Sequence, residues 1–138
     1  MVTRAIVFAF AAILLAAPVV AGAAEGGAAS AALTGAVGET QTGLAAVYSK
    51  RLNGHRTASG ARYHSQNLTA AHQTLPFGTT VKVTNLKNNK SVTVKINDRG
   101  PKQAGRILDL SSAAAKALGM HHNSMAQVKL EVVGAAKS

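Results

Sequence analysis

The sequence predicts a small, mainly β domain closed into a barrel, with one or two short helices. Three observations carry that expectation. The runs Thr79–Asn85 (T-T-V-K-V-T-N) and Ser91–Asn97 (S-V-T-V-K-I-N) alternate apolar and polar residues, the period of a half-buried strand. The stretch Gln127–Val133 repeats the alternation, with Val128, Leu130 and Val132 on one face. A single segment, beginning at Ser111, has the caps and composition of a helix. Short strands with no long unpaired edge are best satisfied by closure.

In chain order, residues 1–24 carry one charge, Arg4, then an apolar run from Ala5 to Ala17, Pro18 and an Ala21-Gly22-Ala23 pattern. This is the layout of a secretory signal peptide cut after Ala23 or Ala24. The run is shorter than the ~20 residues of a membrane span. The mature chain is therefore expected in the periplasm or outside the cell, without a stable membrane anchor. Residues 25–42, mostly Ala, Gly, Ser and Thr, read as a flexible linker.

The domain is expected over residues 43–134, with a tail at 135–138. Leu44–Ser49 is a first strand, with Val47 and Tyr48 as β formers. Lys50–Gly60 is a polar loop with turn signals at Asn53-Gly54 and Ser59-Gly60. Leu68–Thr74 is Ala-rich and reads as a helical turn or an irregular segment. The polar turn Lys87–Lys90 joins the two alternating runs into a hairpin. Arg106–Leu110 is another strand. Ser111 caps the helix and Gly119 stops it. A faint echo links Leu68-Thr69-Ala70-Ala71 and a later V-K-V to Leu110-Ser111-Ser112-Ala113-Ala114 and a later V-K-L-E-V, which suits two similar halves.

Composition narrows the function classes. The chain of 138 residues has no cysteine, so its fold rests on its core alone. Its net charge is +10, and 14 Lys and Arg against 5 acids remain without the leader. A basic exported chain suits anionic surroundings such as cell-wall polymer. Nucleic acid is not expected, because of the leader and because the charges alternate along strands rather than forming a block. No cofactor is expected. His121-His122 lack the spacing of a zinc site, so no metal is expected either.

Scarce acids mark the candidate site. Asp98 and Asp109 flank a loop built from Gly100, Pro101 and Gly105. Asp98 reads either as a functional carboxylate on a loop or as a turn residue accepting backbone N–H groups. Asp109 precedes the helix and reads first as a partner for its N-terminal dipole, second as a substrate contact. His72 is either a supporting catalytic group or a satisfied histidine beneath the Thr74–Pro76 turn. Tyr48 and Tyr63 offer faces for sugar stacking or serve the core. His64 is a polar group on a surface loop. Arg99 stands beside Asp98 and, if folded back, favours its charged form.

These residues fall within a longer pattern. Gly43–Ser49, T-A-S-G-A-R-Y at 57–63, L-T-A-A-H at 68–72, T-L-P-F-G at 74–78, V-T-N-L at 83–86, N-D-R-G-P at 97–101 and R-I-L-D-L-S at 106–111 together resemble the rare lipoprotein A family. These are septal lytic transglycosylases. The resemblance implies a six-stranded double-psi β-barrel, peptidoglycan glycan strands as substrate and a monomer in action. It places the family's acid on Asp98 and its histidine on His72. Beside them, Tyr48, Tyr63, His64, Arg99 and Asp109 are the expected substrate contacts. The family often carries a Glu and an Asp in the preceding loop, where this chain has Ala61 and His64. A lipid-bearing Cys is absent, and many members continue into a glycan-binding repeat domain. The expected activity is endolytic cleavage to 1,6-anhydro ends, with one carboxyl acting first as acid and then as base. The alternative is a non-catalytic module that binds or loosens the wall.

Overall fold

The computed structural model describes residues 32–121 and 124–136. The expected signal peptide, the first part of the expected linker and His122 lie outside them. Six strands, β1 (Thr40–Val47), β2 (Thr69–Ala71), β3 (Thr80–Asn85), β4 (Ser91–Asp98), β5 (Arg106–Leu110) and β6 (Ala126–Gly134), close into a barrel in the order β1-β5-β2-β4-β3-β6. One α-helix, α1 (Ser112–Ala117), and a 3-10 turn at Lys50–Leu52 complete it. The barrel is of the double-psi type.

The alternation read in the sequence is what fills it. Val81 and Val83 of β3 lie opposite Val94 and Val92 of β4, and opposite Val132 and Leu130 of β6. Val81, Val83, Val94, Ile96, Leu108, Leu110, Val128, Leu130 and Val132 form a dry interior closed by Leu75 and Leu118. Burying each such side chain contributes roughly 1.5–3 kcal/mol, which is how a chain without disulfides holds together.

The strand order is unchanged when β1, β2 and β3 are exchanged for β4, β5 and β6. Both parallel pairs, β1·β5 and β4·β2, map onto each other. The V-K-V of β3 and the V-K-L of β6 are therefore counterparts. The other half of the sequence echo is out of register: Leu68–Ala71 runs into β2, whereas Leu110–Ala114 runs from the end of β5 into α1. Alanine-rich segments matched by composition alone.

Three boundaries differ from the expectation by more than one residue. β1 starts at Thr40, not near Gly43, so the last part of the expected linker is strand: Thr40, Gln41 and Thr42 pair with Glu131, Leu130 and Lys129 of β6. Before it, Glu39 accepts hydrogen bonds from the backbone N–H groups of Thr34, Gly35 and Ala36, and Leu33 packs against the core. Polar alternation with Thr hid this strand, because its outward residues outnumber its apolar ones. The ambiguous Leu68–Thr74 contains β2, whose Ala70 and Ala71 are buried between β4 and β5. β1 ends at Val47, one residue before Tyr48.

The helix is bounded as its sequence predicts. The hydroxyl of Ser111 accepts from the Ala114 N–H at 3.2 Å. At the far end Gly119 adopts φ +72°, its N–H reaches Lys116 O at 3.0 Å, and Met120 N–H reaches Ala115 O at 2.9 Å. This is a Schellman closure, with Met120 tucked into the core. A Cβ at Gly119 would lie 2.8 Å from Asn88 Nδ2, whose amide holds the Leu118 carbonyl. Gly119→Ala is expected to lower unfolding free energy by about 1–2 kcal/mol from the left-handed backbone alone, measured by urea denaturation; an unchanged midpoint would contradict this closure.

Candidate functional site

Asp98 ends β4, in which Val94 and Ile96 face the interior. Strict alternation would turn Asp98 inward as well. A bulge prevents it: Ala70 pairs with Ile96 but Ala71 pairs with Asp98, so Asn97 is an extra residue and the direction of the strand's side chains reverses. Asp98 thus joins the face shown by Ala71. Asp109 of β5 also pairs with Ala71, from the other side, and Ala46 of β1 pairs with Asp109. Directly paired residues share a face. A row Ala46–Asp109–Ala71–Asp98 therefore crosses four strands. Two strand spacings set the acids' backbones about 10 Å apart.

The Asp98 carboxylate is held by three donors. Its Oδ1 accepts from the backbone N–H of Ala58 and of Arg99, each at 2.8 Å. Its Oδ2 accepts from the Tyr48 hydroxyl. Burial pushes the Tyr48 phenol well above its ordinary range, helped by its bond to Asp98 and by the charges of Asp98 and Asp109. Tyr48 is therefore a neutral donor across the accessible pH range. Its ring lies 4.8 Å from that of Tyr63, tilted by 41°.

Arg99 does not fold back. Its guanidinium donates to the carbonyls of His72 at 3.1 Å and Leu75 at 2.7 Å, and stacks over Phe77 at 4.1 Å. Among the described residues the ion pair of this region is Arg106–Asp109. Asp109 is thus held from its own strand, not by the dipole of α1.

His72 does not touch the Asp98 side chain. Its ring is buried, 2% exposed. Nε2 lies 2.8 Å from Gln41 Oε1. Nδ1 accepts from the N–H groups of Thr74 at 3.0 Å and Leu75 at 3.1 Å. Its backbone N–H reaches Asp98 O at 3.1 Å. With both ring nitrogens engaged, His72 is the satisfied histidine beneath a turn rather than a group free to meet substrate. Burial, with the Arg99 charge, lowers its pKa to about 4.

The remaining candidates separate. Tyr63 is 2% exposed and its hydroxyl accepts from the Ser112 N–H at 3.2 Å; it supports Tyr48 and has no free face for a sugar. His64 is exposed, beside Asn53, Ser65, Gln66 and Asn67 in a concavity of about 270 Å³. Ala61 is exposed on the 57–61 turn, where its carbonyl accepts from the Thr57 N–H at 2.7 Å. That turn carries the Ala58 amide to Asp98. His121 is exposed beyond α1. Sequence reading missed Gln41, hidden in the expected linker, and the Ala58 amide, which has no side-chain signature. The Ser59-Gly60 turn signal marked the right loop, but not its target.

A family profile described as lytic transglycolase matches residues 40–130. The chain belongs to this family. Among relatives of these lytic transglycolases, a probable endolytic peptidoglycan transglycosylase RlpA of Synechocystis sp. is 54% identical over 91 residues, 66% of this chain and 28% of that protein. The endolytic peptidoglycan transglycosylase RlpA of Campylobacter jejuni is 50% identical over 103 residues, 75% of this chain and 38% of that protein. The chain thus spans roughly a third of the length of these relatives. Of solved structures, an expansin of Clavibacter michiganensis superposes with a TM-score of 0.54 at 23% identity, covering 72% of this chain and 53% of that one. A Streptomyces papain inhibitor superposes with 0.51 at 23%, covering 70% and 96%. At that identity the two share the fold of this lytic transglycolase domain, with no bearing on chemistry.

The buried His72 gives this lytic transglycolase domain an acid limit. The unfolded chain binds a proton at His72 below about pH 6.5, whereas the folded chain does not until about pH 4. Between those values the unfolded state holds more protons, so stability falls as pH drops and is level above the window. His72 is expected to contribute a loss of up to about 3 kcal/mol across it. Urea unfolding of the wild type and of His72→Gln at pH 7 and pH 4.5 checks this: the pH-linked loss should shrink in the variant.

Proposed function

We propose that this domain is an exported peptidoglycan lytic transglycosylase in which the Asp98 carboxyl is both acid and base. The observation that carries this reading is the placement of Asp98: a bulge turns it out of the core, and three donors fix both oxygens while the neighbouring guanidinium points elsewhere. Membership of the family and the names of the relatives supply the reaction class. The exposed lysines of the barrel, among them Lys50, Lys82, Lys95 and Lys129, suit an anionic polymer.

The chemistry needs one well-placed carboxyl. As an acid it protonates the glycosidic oxygen. As the resulting carboxylate it takes the proton of the same sugar's 6-hydroxyl, whose oxygen closes the 1,6-anhydro ring as the glycosidic bond breaks. No water enters, so the second carboxylate of a hydrolase is not required. Tyr48 is not the acid, because its phenol is held neutral by burial and by two carboxylates. Its part is to fix Oδ2. In this reading Asp109, paired to Arg106, contacts the glycan strand rather than transferring a proton.

One observation favours a second reading, a wall-binding barrel without catalysis. The segment that reaches Asp98 carries Ala61 and His64 where the resemblance implies a Glu and an Asp, so the site has two acids fewer.

Digestion of purified sacculi separates the two. Asp98→Asn is expected to lower release of anhydro-muropeptides by at least about a hundredfold, read by mass spectrometry on protein shown to be folded. Equal yield from the wild type and this variant ends the catalytic reading. No release from the wild type, with release gained in Ala61→Glu, marks the native protein as a silenced enzyme, and its co-sedimentation with sacculi at low salt then tests the binding module.

A further inference from the structure

Gln41 sits in β1, half-buried, in the stretch whose sequence looked like linker, and its amide meets the ring of His72. We infer that Gln41 is a positioning residue for Asp98, acting through the His72 ring and the Arg99 guanidinium. The inference rests on the reading of Asp98 as the acid and base.

The direction of each bond is fixed by what the partners can do. Backbone N–H groups only donate, so the two that point at His72 Nδ1 require that nitrogen to be bare. The ring's proton is then on Nε2, and Gln41 must present its oxygen there. By accepting from Nε2–H, Gln41 stabilises the one neutral tautomer in which His72 can close the turn at Thr74 and Leu75. That closed turn brings the carbonyls of His72 and Leu75 onto a single nitrogen of Arg99. Phe77, just beyond the turn, supplies the ring on which the guanidinium rests. Each part engages the Arg99 guanidinium with partners other than the Asp98 carboxylate.

Arg99 is the residue next to Asp98, so a released guanidinium meets a carboxylate within reach. A two-bond grip would compete with the Tyr48 and Ala58 donors for both carboxylate oxygens and turn the group out of its fixed position. Gln suits position 41 because it accepts without charge. Glu there would favour a doubly protonated ring, placing a hydrogen on Nδ1 against the two N–H donors; Arg99 is the charged group that faces the ring and opposes this.

Nuclear magnetic resonance with labelled histidine and arginine, together with sacculus digestion, tests the relay. The wild type should show His72 as the Nε2–H tautomer, with slowed exchange at the Arg99 guanidinium. In Gln41→Leu the tautomer preference, the Thr74 and Leu75 amide shifts and the slow Arg99 exchange should all change. Release of anhydro-muropeptides should fall about tenfold to a hundredfold, as misplacement of a reacting group does. Adding Arg99→Met should recover part of that loss, which a merely structural role for Gln41 would not allow. Gln41→Glu should lose activity as pH falls from 8 to 6, more steeply than the wild type. An Nδ1–H tautomer in the wild type, an unmoved Arg99 signal in Gln41→Leu, or no recovery in the double variant overturns the proposal. A wild type that cleaves nothing would remove the catalytic reading instead, and the spectra alone would then decide the relay.

Discussion

The bulge that inserts Asn97 between Ile96 and Asp98 is the constraint on which the site depends. A strand that buries Val94 and Ile96 has no regular way to present its next alternate residue to solvent. One extra residue reverses the direction, and the last acid of β4 leaves the interior with its backbone still paired to β2. Without the bulge Asp98 would enter a dry core in which a carboxylate has no partner and costs several kcal/mol. The bulge therefore converts an impossible core residue into a fixed surface group.

Everything near it then serves orientation. The long segment between β1 and β2 returns along the barrel, so that Ala58 donates to Asp98 and the Ser59 N–H reaches the Asn97 carbonyl at 3.3 Å. That segment is anchored by Tyr63, buried beneath Tyr48 and tied to the start of α1. Small residues at Ala46 and Ala71 keep the row beside both acids low. A bulkier residue at 71 would stand between Asp98 and Asp109, since it pairs with both. Both tyrosines thus matter for the site through their contacts: Tyr48 is a hydrogen-bond donor, and the buried Tyr63 is its support.

Much of the fold was legible in the sequence, and the reasons are local. Val81, Val83, Val92, Val94 and Ile96 alternate without interruption, so the hairpin could be placed to within one residue at each end. Ser111 and Gly119 are helix signals with a backbone mechanism, and both sit where they act. What failed to read was set by tertiary structure. β2 has three residues, too few for any period, and is a strand only because β4 and β5 lie on either side. Thr40–Thr42 became strand because β6 supplied the partner. At the site, the motifs named Asp98 and His72 but not how they relate. A sequence places them 26 positions apart; the structure joins them by backbone only, and spends the histidine ring on a turn. The amide of Ala58 and the oxygen of Gln41 are contacts that no residue type announces.

The distribution of charge follows from the same economy. Of the four acids among the described residues, Glu39 is engaged by the backbone of Thr34, Gly35 and Ala36, Asp98 by Tyr48 and two amides, Asp109 by Arg106, and Glu131 lies opposite Lys82 across the β3–β6 ladder. Three of them are thus occupied by the protein's own architecture, and the exposed lysines are left with little internal counter-charge. Surface ion pairs would have added little to stability, so nothing in folding demands more acids. In the proposed function, the excess of positive charge acts outward and draws an anionic polymer toward the barrel in a manner that salt weakens. Attraction of that kind carries no register. In that reading a strand drawn to the surface takes its position from the row of Ala46, Asp109, Ala71 and Asp98.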